Sequence, residues 1–185
     1  MLTNKFGRGK GLMTGNEKND KCYTPFSIAK QIIDLFPLYG KVLDPFKGTG
    51  AFYEQIPDYK NMDYIKKDWC EIDEGLDFFD YTDKVDWIIS NPPYSILDEV
   101  LYHSFEIADN VVYLVPLSKI FTSLKRVRGI LQYGNIKEIH ILSASKCGFP
   151  FGFPACAIWF QKGYKGLTMI KELKGLKNGR KEIDG

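Results

Sequence analysis

The sequence predicts a doubly wound α/β domain with a mainly parallel sheet, and three observations predict it. Short apolar runs of strand length alternate with segments of helical spacing. Two of those runs flow directly into turn-forming residues, Asp44-Pro45-Phe46-Lys47-Gly48-Thr49-Gly50 and Asn91-Pro92-Pro93-Tyr94. At 185 residues, with 44% hydrophobic and 15% aromatic residues, the chain is long enough to bury one core without staples and too short for a second domain.

The elements follow in order. Residues 1–22 are rich in Gly, Asn and Lys, lack periodicity and are expected to form a flexible arm. Order begins at Tyr23-Thr24-Pro25. Thr24 or Ser27 is placed to cap a helix reaching Phe36, with apolar positions Ile28, Ile32, Ile33, Leu35 and Phe36. Pro37 and Gly40 stop it. Lys41 to Asp44 is a short strand, and a helix from Ala51 to Gln55 follows the glycine-bearing turn. A second strand lies within residues 62–72, ending between Trp69 and Ile72, and only a minimal helix fits before the third strand, Val85 to Ser90. Leu97 to Ala108 has helical spacing, Val111 to Val115 is a strand of the buried kind, and Lys119 to Tyr133 reads as a helix. Glu138 to Leu142 and Ala155 to Phe160 are the remaining strands. Residues 23–165 are thus expected to be the folded domain and residues 166–185 a basic tail.

The net charge of +2 conceals an uneven distribution. Residues 1–21 carry five basic and two acidic groups and residues 161–185 seven and three, so the middle of the chain is acidic. Basic ends can touch phosphates or simply be solvated. Cys22, Cys70, Cys147 and Cys156 include no CxxC pair, so no metal is expected, and the thiols read as free, as in a cytoplasmic protein. No apolar run approaches 18 residues, and the N-terminus lacks the apolar stretch of a secretory signal, so no membrane span is expected.

The first turn sits where open α/β sheets bind ligands, at a strand end that opens a helix. Gly48 and Gly50 allow a sharp bend and a close ligand approach. Asp44 argues against a phosphate, and Lys47 precedes Gly48, so the turn is no Walker loop. An acid here suits a cationic ligand group such as the α-ammonium of S-adenosylmethionine.

The second turn is the sharper signal. Two consecutive prolines cannot continue a central strand, because neither offers an N–H. They form a rigid turn that aims the Asn91 side chain and the Pro92 carbonyl out of the sheet edge, with Tyr94 as a flat surface beside them. Two acceptors facing one place suit an exocyclic amine on a nucleobase. Its lone pair is delocalised into the ring, and two N–H bonds taken by acceptors favour a pyramidal nitrogen. Tyr94 can stack on a base turned out of a helix. With a methyl donor already activated, positioning and electrostatics supply most of the catalysis.

Acids lie between the two turns. Glu71, or alternatively Asp73, ends the second strand where a carboxylate commonly accepts ribose hydroxyls. Asp77 can accept from an adenine amine, with Phe78 against the ring.

With these motifs in this order, the chain resembles the class I S-adenosylmethionine-dependent DNA adenine-N6 methyltransferases, especially the compact phage and restriction-modification types. The resemblance implies a Rossmann-like, seven-stranded sheet with helices on both faces. It implies that Thr24, Asp44 and Gly48 lie at the methionine end of the cofactor, and that Tyr23, Pro25, Pro45, Phe46 and Gly50 also bind the cofactor. Glu71 would hold its ribose, Asp77 and Phe78 its adenine, and Asn91, which also lines the cofactor site, would hold the target base with Pro92, Pro93 and Tyr94. Lys47 departs from the small or polar residue usual at its position. The family's separate target-recognition domain has no counterpart in this sequence, so specificity is expected to come from short loops, a separate specificity subunit or a homodimer. Lys119, Lys125, Arg126 and Arg128 are DNA-facing candidates, as is Phe151 in the loop Phe149-Pro150-Phe151-Gly152-Phe153-Pro154. A solvated helix face and plain hairpin packing are the respective alternatives. The Asn-Pro-Pro-Tyr turn also occurs in enzymes that methylate RNA bases and protein glutamine, and a non-catalytic remnant of the fold is a further alternative. Tyr23-Thr24-Pro25 ahead of the first strand favours DNA.

Overall fold

The computed structural model describes residues 23–60, 63–142 and 154–173. Its centre is one eight-stranded sheet in the order β2-β3-β1-β4-β5-β7-β6-β8. In chain order the strands are β1 (Gly40–Asp44), β2 (Tyr59–Lys60), β3 (Asp63–Trp69), β4 (Val85–Ser90), β5 (Ala108–Pro116), β6 (Gly134–Leu142), β7 (Ala155–Lys162) and β8 (Met169–Glu172). The pairs β3–β1, β1–β4, β4–β5 and β6–β8 are parallel. β7 runs antiparallel to both its neighbours, and β2 to β3.

Side chains alternate between two cores, as the two-residue period of a strand requires. Val42, Trp87, Ile89, Val112 and Leu114 pack on one face, under α1 (Phe26–Leu35). Leu43, Ile88, Val111, Tyr113 and Val115 pack on the other, under α2 (Leu97–Ile107), α3 (Leu117–Phe121) and α4 (Leu124–Tyr133). The doubly wound arrangement follows directly.

Several expectations are corrected. Neither Thr24 nor Ser27 caps α1; Pro25 takes the N-cap position without a side-chain bond, and its carbonyl accepts from the amides of Ile28 and Ala29 at 3.0 and 3.1 Å. The helix expected at 51–55 is reduced to a 3-10 turn, Tyr53–Gln55. The helix expected over 119–133 is two, because Ser123 is extended and its hydroxyl accepts from the Arg126 amide at 3.2 Å, which starts a new helix. The sheet has eight strands where the resemblance implied seven: the six read from the sequence are joined by the two-residue β2 and by β8, which arises within the stretch expected to be a tail. All four β8 residues are exposed, and charge helps to hold the strand: Lys171 Nζ lies 3.0 Å from Glu138 Oε2, which is 2.7 Å from His140 Nε2. Among the described residues, no helix is long and apolar enough to cross a membrane.

Candidate active site

Because β3, β1 and β4 are adjacent and parallel, their C-terminal ends share one edge of the sheet. A cleft of about 350 Å³ opens there. One side is Phe46, Lys47, Gly48 and Thr49 after β1, with Ala51 and Phe52 behind. Across from it stand Glu71, Ile72, Asp73 and Glu74 after β3. Asn91 and Pro93 enter from β4, and Tyr23 and Thr24 from the segment before α1. Residues from four separate stretches of sequence therefore converge on one space of ligand size.

The glycine turn is pinned at its base by Asp44, which is fully buried. Its Oδ1 accepts from the Ser90 hydroxyl at 2.6 Å and the Phe46 amide at 3.3 Å, and its Oδ2 from the Tyr53 amide at 3.1 Å. Burial pushes the carboxyl up from an ordinary 3.8 to about 6 against these bonds. Asp44 does not line the cleft. Its oxygens accept from these protein donors, so it holds the base of the glycine turn. Gly48 and Gly50 have φ of 50° and 84°, left-handed values that favour glycine. A Cβ on Gly50 would also come within 2.9 Å of Glu54. The Tyr23 ring lies over Gly48, 3.5 Å from where a Cβ would stand.

Glu71 bridges the two walls. Its Oε2 accepts from the Gly48 amide at 2.7 Å, while Oε1 accepts from the Asp73 amide at 3.3 Å and caps the turn Ile72–Glu74. A second tie lies beside it: Lys47 Nζ is 2.8 Å from Glu74 Oε1 and 3.7 Å from the centre of the Trp69 ring. Sequence reasoning missed this pair and the exposed side chain of Ile72, because nothing local to residues 72–74 marks a wall.

Thr24 carries the clearest sign of a ligand. It is 6% exposed, and its Oγ1 has no hydrogen-bond partner among the described residues. A buried hydroxyl without a partner is costly in a fold that has no use for it; here it borders the cleft.

Asp77 and Phe78 stand elsewhere. The Asp77 carboxylate accepts from the Phe79 amide at 2.9 Å and caps the turn Phe78–Asp80. Phe78 is 2% exposed, packed between Phe46 at 5.3 Å and His103 at 4.7 Å. It therefore supports Phe46 from below, and Phe46 with Ile72 supplies the apolar surface that faces the cleft. Pro25, Pro45, Gly50, Pro92 and Tyr94 do not line the cleft either. Pro92 is buried, and the Tyr94 hydroxyl lies 3.1 Å from Asn91 Oδ1.

Of the basic candidates, Lys119, Lys125 and Arg128 are exposed. Arg126 is engaged internally: its Nε donates to Asp98 Oδ1 at 2.6 Å, and a terminal nitrogen donates to the Lys119 carbonyl. Phe151 lies outside the described residues. Among those described, no cluster of His, Cys, Asp and Glu could hold a metal ion.

The fold around the cleft is that of the class I methyltransferases. A Listeria monocytogenes protein assigned as a class I S-adenosylmethionine-dependent methyltransferase gives a TM-score of 0.67 at 16% identity, over 88% of this chain and 68% of the other. The methyltransferase subunit of a type I restriction-modification system from Streptococcus thermophilus gives 0.58 at 15%, over 77% of this chain and 45% of that one. A Pyrococcus horikoshii protein assigned as an RNA methyltransferase gives 0.52 at 16%, over 83% and 93%. The chain thus spans less than half of the restriction-modification subunit. No protein-family model and no curated protein matches the sequence.

Proposed function

We propose that the chain is an S-adenosylmethionine-dependent methyltransferase acting on the exocyclic N6 amine of adenine in DNA. The observation that carries this reading is Asn91, delivered by its proline turn from the end of β4 into the same cleft as Thr24, Gly48 and Glu71. An amide that can accept from an amine thereby borders a space fitted to a nucleoside-sized ligand.

The residues present suit the cofactor. The Glu71 carboxylate can take ribose hydroxyls while keeping the Gly48 amide, since its two oxygens offer about four acceptor sites. The Thr24 hydroxyl, which has no partner among the described residues, supplies a polar contact for the methionine end, and Phe46 and Ile72 an apolar bed for the adenine. The cofactor would supply a methyl group already activated on a sulfonium. Asn91 Oδ1 and the Pro92 carbonyl then accept the two N–H groups of the target amine, turning its lone pair toward the methyl. Tyr94 stacks on the base.

DNA is favoured by Tyr23-Thr24-Pro25 before β1 and supported by the likeness to a restriction-modification methyltransferase subunit. RNA is the second reading, supported by the likeness to a protein assigned as an RNA methyltransferase, of which this chain covers 93%. DNA selection would rest on short loops or on a partner, either a specificity subunit or a second copy, in the cytoplasm of the cell that makes the protein. The test is transfer of a labelled methyl group to DNA, RNA and protein in parallel, followed by modification-sensitive sequencing of the DNA. N6-methyladenine in DNA is expected. Transfer to RNA with none to any DNA overturns the reading.

A further inference from the structure

The Tyr94 hydroxyl has a position that stacking does not require. Its oxygen lies 3.1 Å from Asn91 Oδ1 and 3.2 Å from the backbone carbonyl of Leu114. A phenol carries one proton, so at any moment it fully satisfies one of these acceptors. The two acceptors differ in kind. Leu114 is fully buried in β5, an inner strand whose carbonyl is fixed by the sheet. Asn91 Oδ1 belongs to a side chain that borders the cleft, and it is the atom to which the proposed function assigns one N–H of the target amine.

We infer that the Tyr94 hydroxyl is a positioning group for Asn91, a role resting on the adenine-amine reading. Between turnovers it donates to Asn91 Oδ1, which holds the side chain in one orientation and keeps a partly buried acceptor satisfied. When the amine N–H arrives at Oδ1, the hydroxyl proton swings to the Leu114 carbonyl. Both acceptors are already at hydrogen-bond distance, so no heavy atom has to move. One proton changes acceptor and one substrate N–H takes its place, so Oδ1 keeps a donor throughout and the hydroxyl keeps an acceptor. The ring stacks on the base, whereas the hydroxyl acts on the base only through Asn91.

The test is Tyr94→Phe, which keeps the ring and removes the hydroxyl. The first measurement needs no activity: side-chain amide NMR of the free protein labelled with ¹⁵N-asparagine, with the Asn91 signals identified by their loss in Asn91→Ala. Those signals are expected to shift in Tyr94→Phe while cofactor affinity stays unchanged. The second is steady-state and single-turnover transfer to an adenine-containing DNA duplex. The maximal rate is expected to fall about tenfold with KM nearly unchanged, the size of one modest hydrogen bond. Unmoved Asn91 signals overturn the inference. So does an unchanged rate, or a rise in KM alone, which would make the hydroxyl only an anchor for the ring. If the wild-type chain transfers methyl to no adenine, the functional reading fails, and the NMR measurement still decides whether the hydroxyl holds Asn91.

Discussion

Ser90 donates its hydroxyl to Asp44 at 2.6 Å, joining the last residues of β4 and β1. The two turns that build the cleft are thereby referenced to each other: the glycine turn leaves Asp44, and the Asn-Pro-Pro-Tyr turn leaves Ser90. A buried side-chain bond between adjacent strand ends sets where the walls of the cleft stand relative to Asn91.

Asp44 also makes stability depend on pH. Its folded pKa of about 6 lies above the ordinary 3.8, so the folded state binds the extra proton between these values. Stability from this group is therefore greatest below pH 3.8 and is lost as pH rises through about 6, a change on the order of 3 kcal/mol. Asp44→Asn removes the titration. Denaturant midpoints of wild type and variant, compared from pH 4 to 7, are expected to diverge through this window; parallel curves would refute it.

Thr24→Val deletes a hydroxyl that no described residue uses. The variant should fold as well as wild type or better, with Tm unchanged or raised by about 2–4 °C. Cofactor affinity by calorimetry should weaken about five- to tenfold, the loss of one hydrogen bond. Lower stability with unchanged affinity would make Thr24 structural.

Asn91→Ala should leave cofactor affinity nearly intact and reduce the rate of methyl transfer about 100- to 1,000-fold, as expected for an acceptor that acts on the reacting group. Binding isotherms and single-turnover rates separate the two effects. Full activity in the variant would exclude Asn91 from the chemistry.

Arg126 and Arg128 are expected to part company. Arg126→Gln breaks the part-buried bridge to Asp98 and should cost about 1 kcal/mol of stability. Arg128→Gln, at an exposed position, should leave stability alone, weaken DNA binding at all sequences alike and flatten its salt dependence by about one unit of slope. Thermal melts and salt titrations of binding read the two outcomes.

Much of this was legible in the sequence. Val85 to Ser90 read as a strand ended by the Asn91-Pro92-Pro93 turn, and Asn91, Gly48, Glu71 and Thr24 do border one cleft. The packing of Phe78 under Phe46 was not legible, because an aromatic beside an acid looks the same whether it faces a ligand or the core. The support that Asp44 gives the glycine turn was not legible, because its partners Ser90 and Tyr53 are brought to it only by folding. β8 escaped notice because a strand exposed on both faces has no apolar alternation to betray it. The Lys47–Glu74 tie spans residues that no local pattern relates.

The place of β7 has a consequence for how the molecule comes together. Although β6 precedes it in the chain, β7 lies between β5 and β6. The strands that carry the cleft, β1, β3 and β4, pair with one another and with β5, and all four are complete by Pro116. β6 and β8 have no ladder to that half of the sheet until β7 has inserted. Topology thus makes β7 the strand that joins the two halves of the sheet. The non-local closure it requires is the slow kind, and the exposed flank of β5 is the surface most open to mispairing while the nascent chain waits for residues 155–162.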